Sequence, residues 1–278
     1  MTILSEIAAY AQERVAQAQR QVPLSDLQAR LAQAAPAPGD QSAHLPGLQA
    51  ALAARKQRGE LAFICECKKA SPSKGLIAPD FDYLTIAQTY EAAGADAISV
   101  LTEPKWFLGA DEYLATIAAA VSCPCLRKDF VVDAYQIYEA KLLGAQAVLL
   151  IVALLSDTQL REFLALAAEL KLSALVEAHD ERELERALKA GATIIGVNNR
   201  NLHNFTVDAG NSTRLRSLVP SDIIFVAESG ISSPEQVTQL AAAGCDALLI
   251  GEYLMRASDK AALLRTLRAA AQAGKERL

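Results

Sequence analysis

The chain has 278 residues, 52% of them apolar and 21% charged, and a net charge of −5. That supplies a sizeable buried core in one large domain or two small ones, and it excludes wholesale disorder. The acidic balance argues against nucleic acid as partner, no apolar run reaches the roughly 18 residues of a membrane span, and the start MTILSEIAAYAQER lacks the basic opening of a secretory signal, so a cytoplasmic protein without a membrane partner is expected.

The first elements are helical. Residues 3–19 carry an apolar stripe through Ile3, Ile7, Tyr10 and Val15 and predict an amphipathic helix. Residues 35–46, rich in Pro and Gly, predict a loop, and a second helix is expected over 47–58. This extension of some 60 residues is too short for its own core. It should pack on the rest of the chain, either over the site and against the substrate or, alternatively, under the opposite end as a plug.

From residue 61 onward one phrase recurs: a helical stretch, a glycine, a small residue, then a short apolar run. It reads EAAGADAISVL at 91–101, KLLGAQAVLLI at 141–151, LKAGATIIGVN at 188–198 and AAAGCDALLIG at 241–251. A glycine there suits the left-handed residue just past a helix. A short, continuous apolar run suits a strand covered on both faces, as in a parallel sheet. Strands are predicted at 62–67, 97–101, 125–129, 147–152, 173–177, 193–197, 223–227 and 247–250. Helices are predicted at 83–93, 111–121, 134–143, 157–171, 180–190, 211–218, 233–243 and 259–272, with Ser232, Ser233 and Pro234 opening the seventh. Eight alternating pairs define an α/β protein. A closed barrel and an open doubly wound sheet both satisfy the count. The even spacing, and the lack of a G-x-G-x-x-G after the first strand, favour a (β/α)8 TIM barrel over 61–278 with an N-terminal helical extension over 1–60, one structural domain in all.

Polar residues gather where such a barrel keeps its chemistry, at the C-terminal ends of the strands. The ends read Glu66-Cys67-Lys68-Lys69, Arg127-Lys128-Asp129, Val176-Glu177, Asn198-Asn199-Arg200, Glu228-Ser229-Gly230 and Gly251-Glu252. Lys68, Lys128, Glu177 and Glu228 follow alternate strands and can converge at one mouth. Burying such charges is costly unless they pair, a cost that functional sites tolerate. SGI at 229–231 and IGE at 250–252 bring backbone N–H groups to loops seven and eight, the usual phosphate site of these barrels. ASPSKG at 70–75 can add a hydroxyl or a lysine, and Trp106, Phe107 and Phe130 an aromatic wall. His44, His179 and His203 read as loop residues. The five cysteines lack zinc spacing and read as buried free thiols, and no metal site is expected.

The segments FICECKKASPSKGLI (63–77), ISVLTEPKWFLG (98–109), CLRKDFVVDAYQIYEAKLLGAQAVLLI (125–151), LVEAHDERELERAL (175–188), IIGVNNRNL (194–202) and VAESGI (226–231) resemble the indole-3-glycerol-phosphate synthase family of tryptophan biosynthesis. The resemblance spans nearly the whole barrel. It implies a cofactor-free lyase that closes the indole ring of 1-(2-carboxyphenylamino)-1-deoxyribulose 5-phosphate, releasing carbon dioxide and water, as a monomer or weak homo-oligomer. By the same resemblance Lys128 protonates the developing alkoxide. Lys68 holds the substrate carboxylate or acts as acid in the loss of water, and Glu177 is the base. Glu66, Asn198, Arg200, Glu228 and Ser229 orient hydroxyls and lysines, and Ser71, Gly230, Gly251 and Glu252 match the phosphate site. The chain departs from the family where Gly109-Ala110 and Gly251-Glu252-Tyr253 lack a frequent serine. A phosphoribosyl isomerase, a Schiff-base aldolase on Lys128 and a catalytically silent barrel stand as alternatives; intact Lys68, Lys128 and Glu177 favour the synthase.

Overall fold

The four repeated glycines, Gly94, Gly144, Gly191 and Gly244, have φ between 83° and 93°, and each lets the chain leave a helix and turn straight into a strand. In the computed structural model, which describes residues 2–33, 47–200, 206–208 and 210–276, this unit repeats around a closed barrel. The predicted loop 35–46, with His44, and His203 lie outside the described residues.

The extension comprises α1 (Ile3–Gln21), α2 (Leu24–Gln33) and α3 (Leu48–Gln57). The barrel begins with β1 (Ala62–Cys67), a short antiparallel arm of β2 (Ala70–Ser71) and β3 (Gly75–Leu76), then α4 (Tyr83–Ala92) and β4 (Ala97–Leu101). Next come α5 (Asp111–Ala120), β5 (Cys125–Lys128), α6 (Tyr135–Leu142), β6 (Ala147–Ile151), α7 (Asp157–Glu169) and β7 (Ser173–Ala178). The chain then runs through α8 (Glu181–Ala190), β8 (Ile194–Asn198), α9 (Gly210–Arg216), β9 (Ile224–Glu228), α10 (Pro234–Ala242), β10 (Ala247–Ile250), α11 (Glu252–Arg256) and α12 (Lys260–Lys275). Ser233 caps α10 with Pro234 in its first turn, as the sequence predicts. The barrel strands run in the order β1, β4, β5, β6, β7, β8, β9, β10 and close on β1, all parallel.

Alternation along each strand sorts the side chains. Phe63, Cys65, Ile98, Val100, Val148 and Val176 face the helices, whereas Ile64, Leu126, Leu149, Leu175, Val226 and Leu249 fill the interior. Cys65, Cys67 and Cys125 are free and buried, and burial pushes their thiols up, which makes them poor nucleophiles.

The extension grips both ends of the barrel rather than one. At the N-terminal ends of the strands, α3 lays Leu48 and Leu52, both fully buried, onto the interior. Its Gln49 N–H donates to Ser173 Oγ at 3.1 Å, and Lys56 Nζ reaches Asp246 at 3.0 Å and the Ile223 carbonyl at 2.9 Å. At the opposite end, Arg14 of α1 pairs with Asp129 at 2.7 Å, and Tyr10 meets Trp106 edge-on at 5.5 Å. The two alternative placements of the extension are therefore both realised, by different helices. None of the described helices is long and apolar enough to cross a membrane.

Candidate active site

Each strand end aims its charge by the same alternation. On β5, Leu126 points inward and Arg127 outward, where Arg127 is fully buried and donates to the Gln136 carbonyl, Glu139 and Asp111. That anchor fixes the strand so that Lys128, the next residue, enters the barrel. Glu66 on β1 and Glu177 on β7 enter by the same rule, and Glu228 ends β9. Strand pairing sets Glu228 opposite Asn198 of β8.

These residues share one cavity of about 500 Å³ at the C-terminal mouth. Lys128 Nζ lies 3.0 Å from Glu177 Oε2 and 3.1 Å from Glu228 Oε2, a bridge between two buried carboxylates. Lys68 Nζ lies 2.6 Å from Glu66 Oε1. Asn198 adjoins Glu177 and helps hold its carboxyl low, and its Oδ1 accepts the Arg200 N–H at 2.9 Å. Two glycines leave room for the carboxylates. A Cβ on Gly196 would overlap Glu228 Oε1, and one on Gly251 would overlap Glu66 Oε1 and sit 2.8 Å from Lys68 Nζ.

The electrostatics come from this packing. Burial works against the Lys128 ammonium, but Glu177, Glu228 and Glu66 outweigh it and raise its pKa, so it is charged at neutral pH. Burial would lift both carboxyls. For Glu177, Lys128 and His179 prevail and hold it low. For Glu228, burial dominates, Lys128 opposes it, Glu177 adds to it, and the carboxyl is pushed up to about 7. The two carboxylates titrate as a pair on one ammonium.

One side of the cavity is apolar. Phe107 and Phe130, with ring centroids 5.9 Å apart, stand beside Ile3, Leu4 and Ile7 of α1. Trp106, expected in the same wall, instead packs against Tyr10. The other side carries Ser71, Gly230, Gly251 and Glu252. Ser229 sits at φ 66°, a strained setting for a non-glycine residue, and Gly230 at φ 76°. The Glu252 carboxylate is occupied by Arg256 at 3.0 Å and Lys74 at 3.7 Å. A carboxylate repels an anion, so an anion held there would meet the backbone of Glu252, not its side chain.

All the candidate site residues, Glu66, Lys68, Ser71, Phe107, Lys128, Phe130, Glu177, Asn198, Arg200, Glu228, Ser229, Gly230, Gly251 and Glu252, line this one cavity. Sequence reasoning misses the residues behind them. Buried Asp129 accepts from Arg14, from the Thr102 hydroxyl at 2.8 Å and from the Phe130 N–H at 2.8 Å, which locks α1 to the mouth. Buried Glu103 accepts the N–H groups of Lys105, Trp106 and Phe107 at 2.7–3.0 Å and so aims Phe107. His179, a loop residue by sequence, is wedged between Glu177 and Glu183. Its position two residues beyond Glu177, just past the end of β7, is the signal that could have found it. Among the described residues no cluster of three or more His, Cys, Asp or Glu could hold a metal ion.

A closed parallel barrel with paired lysines and glutamates at its C-terminal mouth defines a protein of the (β/α)8-barrel enzyme class, with groups at the mouth suited to acid–base chemistry. A solved structure of 3-hexulose-6-phosphate synthase from Salmonella typhimurium matches it with a TM-score of 0.61 over 78% of this chain and 100% of that one, and at 17% identity this likeness is one of fold. The family model described as indole-3-glycerol phosphate synthase matches residues 4–267. The indole-3-glycerol phosphate synthase of Lacticaseibacillus paracasei is 52% identical over 262 residues, which cover 94% of this chain and 97% of that protein. That of Ruminiclostridium cellulolyticum is 60% identical over 213 residues, covering 77% and 82%. The chain belongs to the indole-3-glycerol phosphate synthase family.

Proposed function

We propose that the protein converts 1-(2-carboxyphenylamino)-1-deoxyribulose 5-phosphate to indole-3-glycerol phosphate, carbon dioxide and water, in the cytoplasm, as a monomer or weak homo-oligomer needing no cofactor. The observation that carries this reading is Lys128, a largely sequestered ammonium bridging two buried glutamates in a cavity with an aromatic wall. The aryl ring rests between Phe107, Phe130 and the apolar face of α1. The phosphate lies across Ser71, Gly230, Gly251 and the backbone of Glu252. Lys68, paired with Glu66, draws the substrate carboxylate toward the ketone.

The ring carbon bearing the carboxylate attacks the ketone carbon, and Lys128 gives a proton to the alkoxide. Loss of carbon dioxide returns the bonding pair to the ring. Lys68 then protonates the departing hydroxyl while Glu177 takes a proton from the neighbouring carbon. Glu228 and Asn198 hold Lys128 and Glu177 in register, and Arg200 and Ser229 face the substrate hydroxyls. Barrel residues 61–278 carry the chemistry, and the extension over 1–60 completes the aryl side.

Turnover of this substrate by the purified protein, read as indole fluorescence and released carbon dioxide, tests the reading. Formation of both products, lost in Lys128→Ala, is expected. An active isomerase or aldolase that yields no indole would overturn it.

A further inference from the structure

Of the strand-end run Asn198-Asn199-Arg200, the first and third residues line the cavity at the mouth, and Asn199 has no part in the chemistry above. Its side chain lies on the other side of the backbone, buried at 4% exposure, where it lines a second cavity of about 290 Å³. Ser229 and Gly230, at the end of the paired strand β9, line only the first cavity. Both sit in the left-handed region, at φ 66° and 76°. Glycine adopts that conformation freely. Serine does so at a cost, and its surroundings must hold it there.

Asn199 holds it twice. Its backbone N–H donates to the Glu228 carbonyl at 2.9 Å, and its Nδ2 donates to the Ser229 carbonyl at 3.2 Å. These carbonyls belong to the two peptide planes that flank the Ser229 Cα, so the turn cannot relax without breaking one of the bonds. The amide is itself fixed from the opposite side. Its Oδ1 accepts the N–H of Ser212 at 2.9 Å and the Ser212 hydroxyl at 2.7 Å, and Ser212 is fully buried in α9. A backbone N–H can only donate, so the amide oxygen faces α9 and its nitrogen faces Ser229.

A trans peptide carries its C=O and N–H on opposite edges. The Ser229 carbonyl turns toward Asn199, away from the first cavity, so the Gly230 N–H of the same peptide turns toward that cavity. We propose that Asn199 is a positioning residue for the phosphate end of the substrate: it clamps Ser229 in the left-handed turn and thereby aims the Gly230 N–H at the anion. This rests on the substrate proposed above, with its phosphate across Gly230 and Gly251. Glycine at position 229 would need no clamp but would lack the hydroxyl. Serine with the clamp supplies both the hydroxyl and the turn.

The experiment is a double-mutant cycle between Asn199 and Ser229. It reads kcat, KM and the dissociation constant of inorganic phosphate by phosphorus NMR titration, with thermal unfolding beside them. In Asn199→Ala the Ser229 carbonyl loses its donor, the turn falls back to ordinary backbone, and the Gly230 N–H withdraws. KM and the phosphate dissociation constant should rise together by about tenfold, the size of one left-handed backbone penalty, with kcat within about threefold of wild type. Ser229→Gly loses the hydroxyl and sets a baseline of its own. In that background Asn199→Ala should raise both constants by less than about twofold, because glycine keeps the turn unaided.

Equal losses of phosphate affinity in the two backgrounds would make Asn199 a structural tie between β8 and α9 and overturn the proposal. So would an Asn199→Ala enzyme with the KM and phosphate affinity of the wild type. If Asn199→Ala does not fold, Asn199→Asp takes its place, an isosteric side chain that still accepts from Ser212 but turns a second oxygen on the Ser229 carbonyl. Phosphate binding weaker by about tenfold is expected of it, and unchanged binding overturns the proposal. A wild type that does not turn over the substrate refutes the reaction instead, and the phosphate affinities still decide the role of Asn199.

Discussion

Gly251→Ala separates chemistry from anion binding at the end of β10. The backbone there has φ −112°, so alanine meets no left-handed penalty. The new methyl would overlap Glu66 Oε1 and lie 2.8 Å from Lys68 Nζ, where ordinary contact needs about 3.5–4.0 Å. Both atoms are tips of flexible side chains, so the pair must swing aside by about 1 Å while the barrel stays intact. A misplacement of about 1 Å costs about 10² in rate, or about 2.7 kcal/mol of barrier. The expected outcome is a kcat reduced about 100-fold, a KM within about threefold of wild type, and a stability change of about 1 kcal/mol or less. Steady-state fluorescence of the indole product gives the first two, and thermal unfolding gives the third. A raised KM with unchanged kcat would refute the reasoning and leave Gly251 as a phosphate contact alone.

Lys128→Met should lose about 10²- to 10⁴-fold in kcat. It also leaves Glu177 and Glu228 buried together without a cation, so both carboxyls rise. The stability of the variant relative to wild type should then be highest near pH 5 and fall toward pH 8, and melting curves that shift in parallel would contradict the pairing. Glu177→Gln should slow turnover by about 10²- to 10⁴-fold with little loss of stability, because Lys128 keeps Glu228 as partner; single-turnover traces in which ring closure and dehydration both proceed normally would remove Glu177 as base. Glu252→Gln frees Lys74 and Arg256 toward the phosphate, and as these cations are half exposed, KM should drop by about fivefold at most, an effect that vanishes in high salt. Arg14→Ala should lower stability by about 1.5–3 kcal/mol and raise KM by loosening α1. Against the penalty of its burial, Arg14 and Arg127 hold the Asp129 carboxyl low, so in wild type this tie persists above the ordinary aspartate pKa and is lost only as pH falls below about 3.9, which acid-dependent KM and melting data can check.

The barrel was readable because it repeats. Glycine followed by a short apolar run marks a helix end and a strand start within a dozen residues, and the eight predicted strands match the observed ones to within one or two residues. The convergence of Lys68, Lys128, Glu177 and Glu228 was readable from their places after alternate strands. Elements without a repeat were not readable: α2, the arm of β2 and β3, and α11 are short or lie in connections. Arg14 and Asp129 are 115 residues apart, and nothing local to either announces the other. His179 could have been found from its place two residues beyond Glu177, but a lone histidine after a strand resembles any loop histidine until Glu183 folds back onto it from α8.

The grip of the extension on both barrel ends also bears on how the chain is made. Residues of α1 and α3 are made before the barrel; α1 finds Asp129 midway, but α3 finds its partners late. Lys56 waits for Asp246, 190 positions downstream, and β1 gains its second neighbour only when Ala247–Ile250 arrive. Until then Leu48, Leu52, Leu4 and Ile7 have no barrel interior to enter. The β1–β10 seam therefore cannot close until β10 has been made, a long-range pairing of the kind that slows folding. Loss of α3 would uncover the barrel interior at the N-terminal ends of the strands, and loss of α12 the flank of α10, each exposing apolar surface open to aggregation.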